Sequence, residues 1–300
     1  MDINHIIELL KSPDIEYIFY FVRKTKTEYI SYSPEVSKDI FIQLLNIICT
    51  YLEGYSDFEQ VDFNPTGYRE GTIELCDLDY VGNYNEVINS FDSGNIEDVE
   101  KEADNFSFYC IDLNIDDNNN IKLFRRVTKF KRLYSKGILA AFQGNRLNKI
   151  EDKMLGLDGE IDIIVFKDKM IVLNHISLER IFRMEEQYSS KANEAINKLR
   201  NSNKIVNFDA FEEDCMNDLR IQKILTRMLK EGNELDKCFD NFNNVIETIN
   251  LFDLDIEVQN TPSQGIIYED KRQIMDVLRL ARDSYYRSLI REKPGIDNKI

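Results

Sequence analysis

Residues 157–188 read LDGEIDIIVFKDKMIVLNHISLERIFRMEEQY, and how they fold decides the architecture. Ile161, Ile163 and Val165 alternate with Asp162, Ile164 and Phe166, which is the period of a strand. Lys167-Asp168-Lys169 makes a short charged turn, and Met170 to Leu173 returns as a second apolar strand. Ser177 has the chemistry of a helix N-cap, and Leu178, Ile181, Phe182 and Glu185 follow at helical spacing. A β-hairpin feeding directly into an amphipathic helix is expected.

The same stretch resembles the core hairpin of restriction-endonuclease-like enzymes, in which Gly-Glu-Ile-Asp enters a hairpin. Glu160 and Asp162 match that entry. Such an enzyme also needs a second carboxylate to clamp Mg²⁺ and a lysine to help activate water. Where Glu-x-Lys should fall, the chain has Asn174-His175-Ile176, and no carboxylate occurs from Met170 to Leu178. A structural hairpin without catalytic residues or metal is the favoured reading.

Working outward, Phe106 to Ile115 reads as a strand, Asp116 to Asn120 as a turn, and Ile121 to Thr128 as the partner strand. Asp112, Asn114 and Asp116 alternate like the start of a calcium loop. Asp117 stands where such a loop needs Gly, and Leu123 where it needs Glu, so a plain hairpin turn is expected. Strands at Ile138–Phe142 and Arg146–Ile150 precede the hairpin. Helices over 177–200, 209–230 and 234–250 follow, then short strands near Leu254–Val258 and Ile266–Tyr268 and a helix over Lys271–Arg282.

Before residue 105 the expected elements are a short helix over 2–11, strands at Ile15–Arg23 and Glu28–Tyr32, and a helix capped by Ser33 with Pro34 at its first position. Ile40, Phe41, Leu44, Leu45, Ile48, Cys49 and Leu52 form the apolar face of that helix, and Gly54 ends it. The polar, acidic stretch Asp92–Asp104 marks the expected boundary. The fold class is α+β: an acidic N-terminal α/β domain over 1–104, then a domain over 105–300. That second domain holds a central antiparallel β-meander, a helical segment and a short α/β end.

Charge is distributed unevenly. Net charge is −16, yet of 54 acidic and 38 basic side chains, residues 1–120 carry 25 acidic and only 7 basic. The remaining 180 residues are close to neutral, which points to two functional surfaces. Five scattered cysteines without Cys-x-x-Cys spacing and two histidines argue against zinc, cofactors and histidine-dependent hydrolysis. The amino terminus lacks signal-peptide character, and the apolar runs are too short to span a bilayer, so cytoplasmic residence is expected.

The strongest functional signal is Ile121–Ile150. Lys122, Arg125, Arg126, Lys129, Lys131, Arg132, Lys136, Arg146 and Lys149 lie in a stretch with no Asp or Glu, interleaved with Phe124, Phe130, Tyr134 and Phe142. Concentrated cations beside ring faces suit contacts to DNA phosphates. Pairing of this strip with the acidic N-terminal part is the competing explanation. A second basic cluster, Lys271, Arg272, Arg279, Arg282, Arg287, Arg291 and Lys293, is interspersed with acids and reads as a mixed helix surface.

The chain also resembles the soluble B component of the Kiwa anti-phage defence system. The matching positions are the basic strand region Lys129–Tyr134, Phe142, Asp162, Asn174, the run Leu178-Glu179-Arg180-Ile181-Phe182, and Asp283-Ser284-Tyr285-Tyr286-Arg287-Ser288-Leu289. The resemblance covers roughly residues 106–300. Leu178 departs from the family, which usually has an aromatic or small residue before the Glu. The resemblance implies a non-catalytic effector that binds double-stranded DNA, forms homo-oligomers and is recruited to the inner membrane by a small multi-span membrane partner, the Kiwa A component. Two other classes stay open: a nuclease with a variant site around Asp158, Glu160 and Asp162, and a protein-binding adaptor using the acidic N-terminal part.

Overall fold

The computed structural model describes residues 2–67, 69–92, 99–116, 118–127, 140–150, 154–260 and 263–297. Contacts divide the chain into two units, 1–63 with 68–184, and 64–67 with 185–300.

The first unit is built on one mixed sheet. Its strands are β1 (Glu16–Lys24), β2 (Tyr29–Tyr32), β3 (Glu59–Asp62), β4 (Thr72–Asp77), β5 (Phe106–Asp116), β6 (Asn119–Arg126), β9 (Ile163–Phe166) and β10 (Lys169–Val172). The hairpin of β7 (Ala140–Gln143) and β8 (Arg146–Lys149) stands apart from it. The order across the sheet is β2-β1-β5-β6-β9-β10-β4-β3. All neighbours are antiparallel except β3 and β4. The centre, β5-β6-β9-β10, is the antiparallel meander expected from the sequence.

Register explains why β9 is buried along its whole length. Phe19, Ile111, Leu123 and Ile164 are successive cross-strand partners. They share a core with Ile3, Ile6 and Ile7 of α1 (Ile3–Leu10) and Phe41, Leu44 and Ile48 of α2 (Lys38–Glu53). The alternate row, Tyr20, Cys110 and Phe124, faces the other way. There Phe91 of α3 (Tyr84–Asp92) stacks on Tyr20 at 4.2 Å, and Phe182 meets Phe124 edge-on at 5.5 Å. With both faces covered, an apolar run replaces strict alternation.

The decisive hairpin forms as expected. Lys167 occupies the left-handed region at φ 59° between β9 and β10. Several helix bounds differ from expectation: the helix read over 209–230 is two, Phe208–Met216 and Leu219–Lys230, and the one read over 234–250 begins only at Phe242. Helix α2 is capped by Ser37, not Ser33, and Pro34 precedes the helix. The helix after the hairpin, which follows the short α4 (Val99–Glu102), is α5 (His175–Ile181). Asn174 caps it, accepting a hydrogen bond from the Ser177 amide at 3.0 Å, and Ser177 is buried inside its first turn. Arg183 at φ 50° then breaks the helical path before α6 (Met184–Asn201).

The second unit adds α7 (Phe208–Met216), α8 (Leu219–Lys230), α9 (Phe242–Leu251) and α10 (Ile274–Ala281). It also holds a three-stranded sheet, β11 (Ile205–Val206), β13 (Gly265–Ile267) and β12 (Glu257–Gln259), and the hairpin β14 (Tyr285–Arg287) with β15 (Pro294–Ile296). Its own apolar core runs from Ala192 to Tyr285. The class is therefore α+β. The eight-stranded sheet crosses the boundary read at 104/105, because β1 pairs with β5 and β4 with β10, and the contacts divide near residue 184 instead. Among the described residues, no helix is long and apolar enough to cross a membrane.

Candidate functional site

The acid-free stretch begins on β6, and register decides what each of its cations meets. Lys122 lies opposite Asp112 of β5. Its ammonium donates to both Asp112 carboxylate oxygens at 2.8 Å and to Asn120 at 2.9 Å, and only 15% of its side chain is exposed. Pairing with an acid describes what this side chain does, but the partner belongs to the neighbouring strand β5 and not to residues 1–104.

Arg125 is held more tightly. Its Nε and Nη2 donate to the two Asp158 carboxylate oxygens at 2.7 and 3.0 Å, Nη2 also to Glu160 at 2.8 Å, and Nη1 to Asp162 at 3.1 Å. Burial opposes the charge, but these carboxylates outweigh it and push the guanidinium above its ordinary range. Asp162 is 1% exposed, and its second oxygen accepts the Arg126 amide at 2.7 Å. Its own backbone amide donates to Phe124, and its carbonyl accepts from Leu173 and Asn174. The three carboxylates of the variant nuclease reading, Asp158, Glu160 and Asp162, thus converge on the Arg125 guanidinium.

Arg126 is different. Its guanidinium has no hydrogen-bond partner among the described residues. Burial, and then the positive charge of Arg180, hold it below the ordinary arginine range. Arg146 and Lys149 project from the exposed hairpin β7–β8. Lys129, Lys131, Arg132 and Lys136, with Phe130 and Tyr134, lie outside the described residues. The strand geometry preferred for the start of the strip holds for Lys122 to Arg126.

A second polar cluster went unread in the sequence. His175, at the first position of α5, bonds through Nδ1 to Glu74 of β4 at 2.7 Å and through Nε2 to Glu179 at 3.2 Å. The Phe63 ring stacks on it at 5.0 Å. Burial alone would lower its pKa, but hydrogen bonds to Glu179 and Glu74, with their charges, raise it to about 9. Glu179 stands one helical turn from His175 and was legible as an i,i+4 pair; Glu74, 101 residues away, carried no local signal.

A family model described as Kiwa protein KwaB-like matches residues 103–291, well over half of the chain. The match takes in β5 to β10 and most of the second unit, and leaves out β1 to β4. No curated protein and no solved structure matches the chain.

Proposed function

We propose, because this chain belongs to the Kiwa KwaB-like family, that it is the DNA-binding component of an anti-phage defence system. The observation that carries the DNA reading is the acid-free stretch 121–150 with its nine cations. Lys122 and Arg125 are committed to Asp112, Asp158, Glu160 and Asp162. The proposed DNA contacts are therefore Arg126, Lys129, Lys131, Arg132, Lys136, Arg146 and Lys149. Phosphate contact by these side chains releases counterions and needs no catalytic group. The family resemblance supports homo-oligomerisation and a small multi-span membrane partner, with this chain recruited to the membrane through that partner.

Gel shifts on one duplex, with and without Mg²⁺ and Mn²⁺, test the proposal. Binding without cleavage is expected, with affinity falling on the order of a hundredfold or more between about 50 and 200 mM salt if five phosphates are contacted. Replacing Lys129, Lys131, Arg132, Lys136, Arg146 and Lys149 with Glu should abolish binding in a folded protein. Arg125 must be spared, since Glu at that position would face three carboxylates and unfold the site. Metal-dependent cleavage, or undiminished binding by the sextuple variant, would overturn the reading.

A further inference from the structure

A cavity of about 560 Å³ opens beside the ends of β1 and β6 and the last turn of α5. Lys24, Thr25, Ser107, Arg126 and Arg180 form its polar lining, and no carboxylate lines it among the described residues. The Thr25 hydroxyl is spent on its own turn, bonding the Glu28 carbonyl and the amides of Thr27 and Glu28. The cations are brought together by the fold. Lys24 donates through Nζ to the Arg180 carbonyl, which ties the end of β1 to the end of α5. Arg183 anchors the same turn from below, donating to the Thr25 carbonyl at 2.6 Å and the Glu28 carbonyl at 3.1 Å and stacking over Tyr29.

No carboxylate is hydrogen-bonded to either guanidinium of this cavity among the described residues. Asp162 acts favourably on Arg126, and its oxygens are already taken by the Arg125 guanidinium and the Arg126 amide. Neither the Arg126 nor the Arg180 guanidinium has a side-chain partner among the described residues. The Arg180 charge acts on Arg126 as a repulsion, so the pair raises the energy of the empty cavity and rewards an anion that bridges them. Two planar guanidinium forks with an ammonium beside them suit a tetrahedral phosphate, which accepts bidentate hydrogen bonds from arginine. The volume exceeds that of one phosphate and leaves room for an attached sugar.

We propose that this cavity is a phosphate-binding pocket, in which Arg126 and Arg180 grip one phosphate group and Lys24 adds its charge. The DNA reading above is needed only for the source of that phosphate, since a DNA backbone and a free nucleotide carry the same group. Arg126 belongs to the acid-free stretch, so the pocket shares a residue with the proposed DNA contacts.

The test uses the full chain, with R180A as the variant, because Arg180 is exposed and its loss leaves the core intact. Binding of AMP and of a short duplex is measured at about 50 mM salt, alongside thermal unfolding to confirm the fold. R180A should weaken the ligand that wild type binds by about tenfold or more, and for the duplex should reduce the salt slope by about one. Weakening of duplex binding alone identifies DNA as the source. AMP bound and weakened by R180A, with no duplex binding by wild type, keeps the pocket and removes the DNA reading. Undiminished binding of both ligands by R180A overturns the pocket, even if the sextuple variant loses DNA. Failure of wild type to bind either ligand overturns it as well.

Discussion

At the scale of single residues, Arg125 separates charge from function. It sits in the run that reads most strongly as a DNA contact, yet it is 13% exposed and satisfied by three carboxylates. Its partners lie 33, 35 and 37 residues downstream, so no spacing along β6 could reveal them. Only β6–β9 pairing brings them together. Asp162 is the buried member of the group and also holds the Arg126 amide. Asp162→Ala leaves a buried guanidinium short of one anion and a backbone donor without its acceptor. It should cost about 3 kcal/mol of stability, whereas Glu160→Ala, whose carboxylate is 63% exposed, should cost less than about 1 kcal/mol. Urea unfolding of both variants checks this. Equal losses would mean that Asp162 is no more structural than its exposed neighbour. Its loss without loss of DNA binding is also expected, because its oxygens are already occupied inside the protein.

Among elements, the joint between β4 and α5 is the informative one. Imidazolium at His175 bridges Glu74 and Glu179, fixing the helix start against the sheet. The folded-state pKa, about 9, is raised above the ordinary 6.5. The bridge therefore contributes in full below pH about 6.5, and the contribution drains away as pH rises through about 9. Unfolding free energy of the wild type should fall across that window by up to about 3 kcal/mol relative to its own value near pH 6. His175→Gln should be less stable at pH 6 and show a flatter profile; parallel profiles would refute the bridge. The same joint shows what local sequence can and cannot specify. Turn chemistry and alternation placed both hairpins and the meander. Asn174 and Ser177 are both capping residues, however, and composition alone does not choose between them. The choice is made by tertiary fit, since Ser177 is buried and Asn174 is the exposed residue at the strand's end. The placement of β1 and β4 on opposite sides of the meander involves pairings across tens of residues, for which periodicity is silent.

For the whole molecule, the consequence lies in the division between residues that match the family and residues that complete the sheet. Positions 103–291 match the family model, but the meander within them is flanked on one side by β1 and β2 and on the other by β4 and β3. A fragment spanning 105–300 loses the partner of β5, paired with β1 from Glu16 to Arg23, and the partner of β10, paired with β4 from Glu74 to Asp77. It also loses α1 and α2, which cover Ile111, Leu123, Ile164 and Ile171. Two unpaired edges and an uncovered apolar face favour edge-to-edge association. This fragment should aggregate or lack a cooperative transition. A fragment spanning 185–300 keeps the core from Ala192 to Tyr285 and should remain monodisperse with a cooperative thermal transition. Size-exclusion chromatography and calorimetry of the two fragments make the comparison. A soluble, cooperatively melting 105–300 fragment would show instead that the acidic N-terminal part is a separable domain, free to serve as the surface for a protein partner while the rest carries the proposed DNA contacts. Failure of that fragment to fold would tie the acidic strands to the same sheet that carries Arg125 and Arg126, so that removing them would destroy the proposed DNA surface with them.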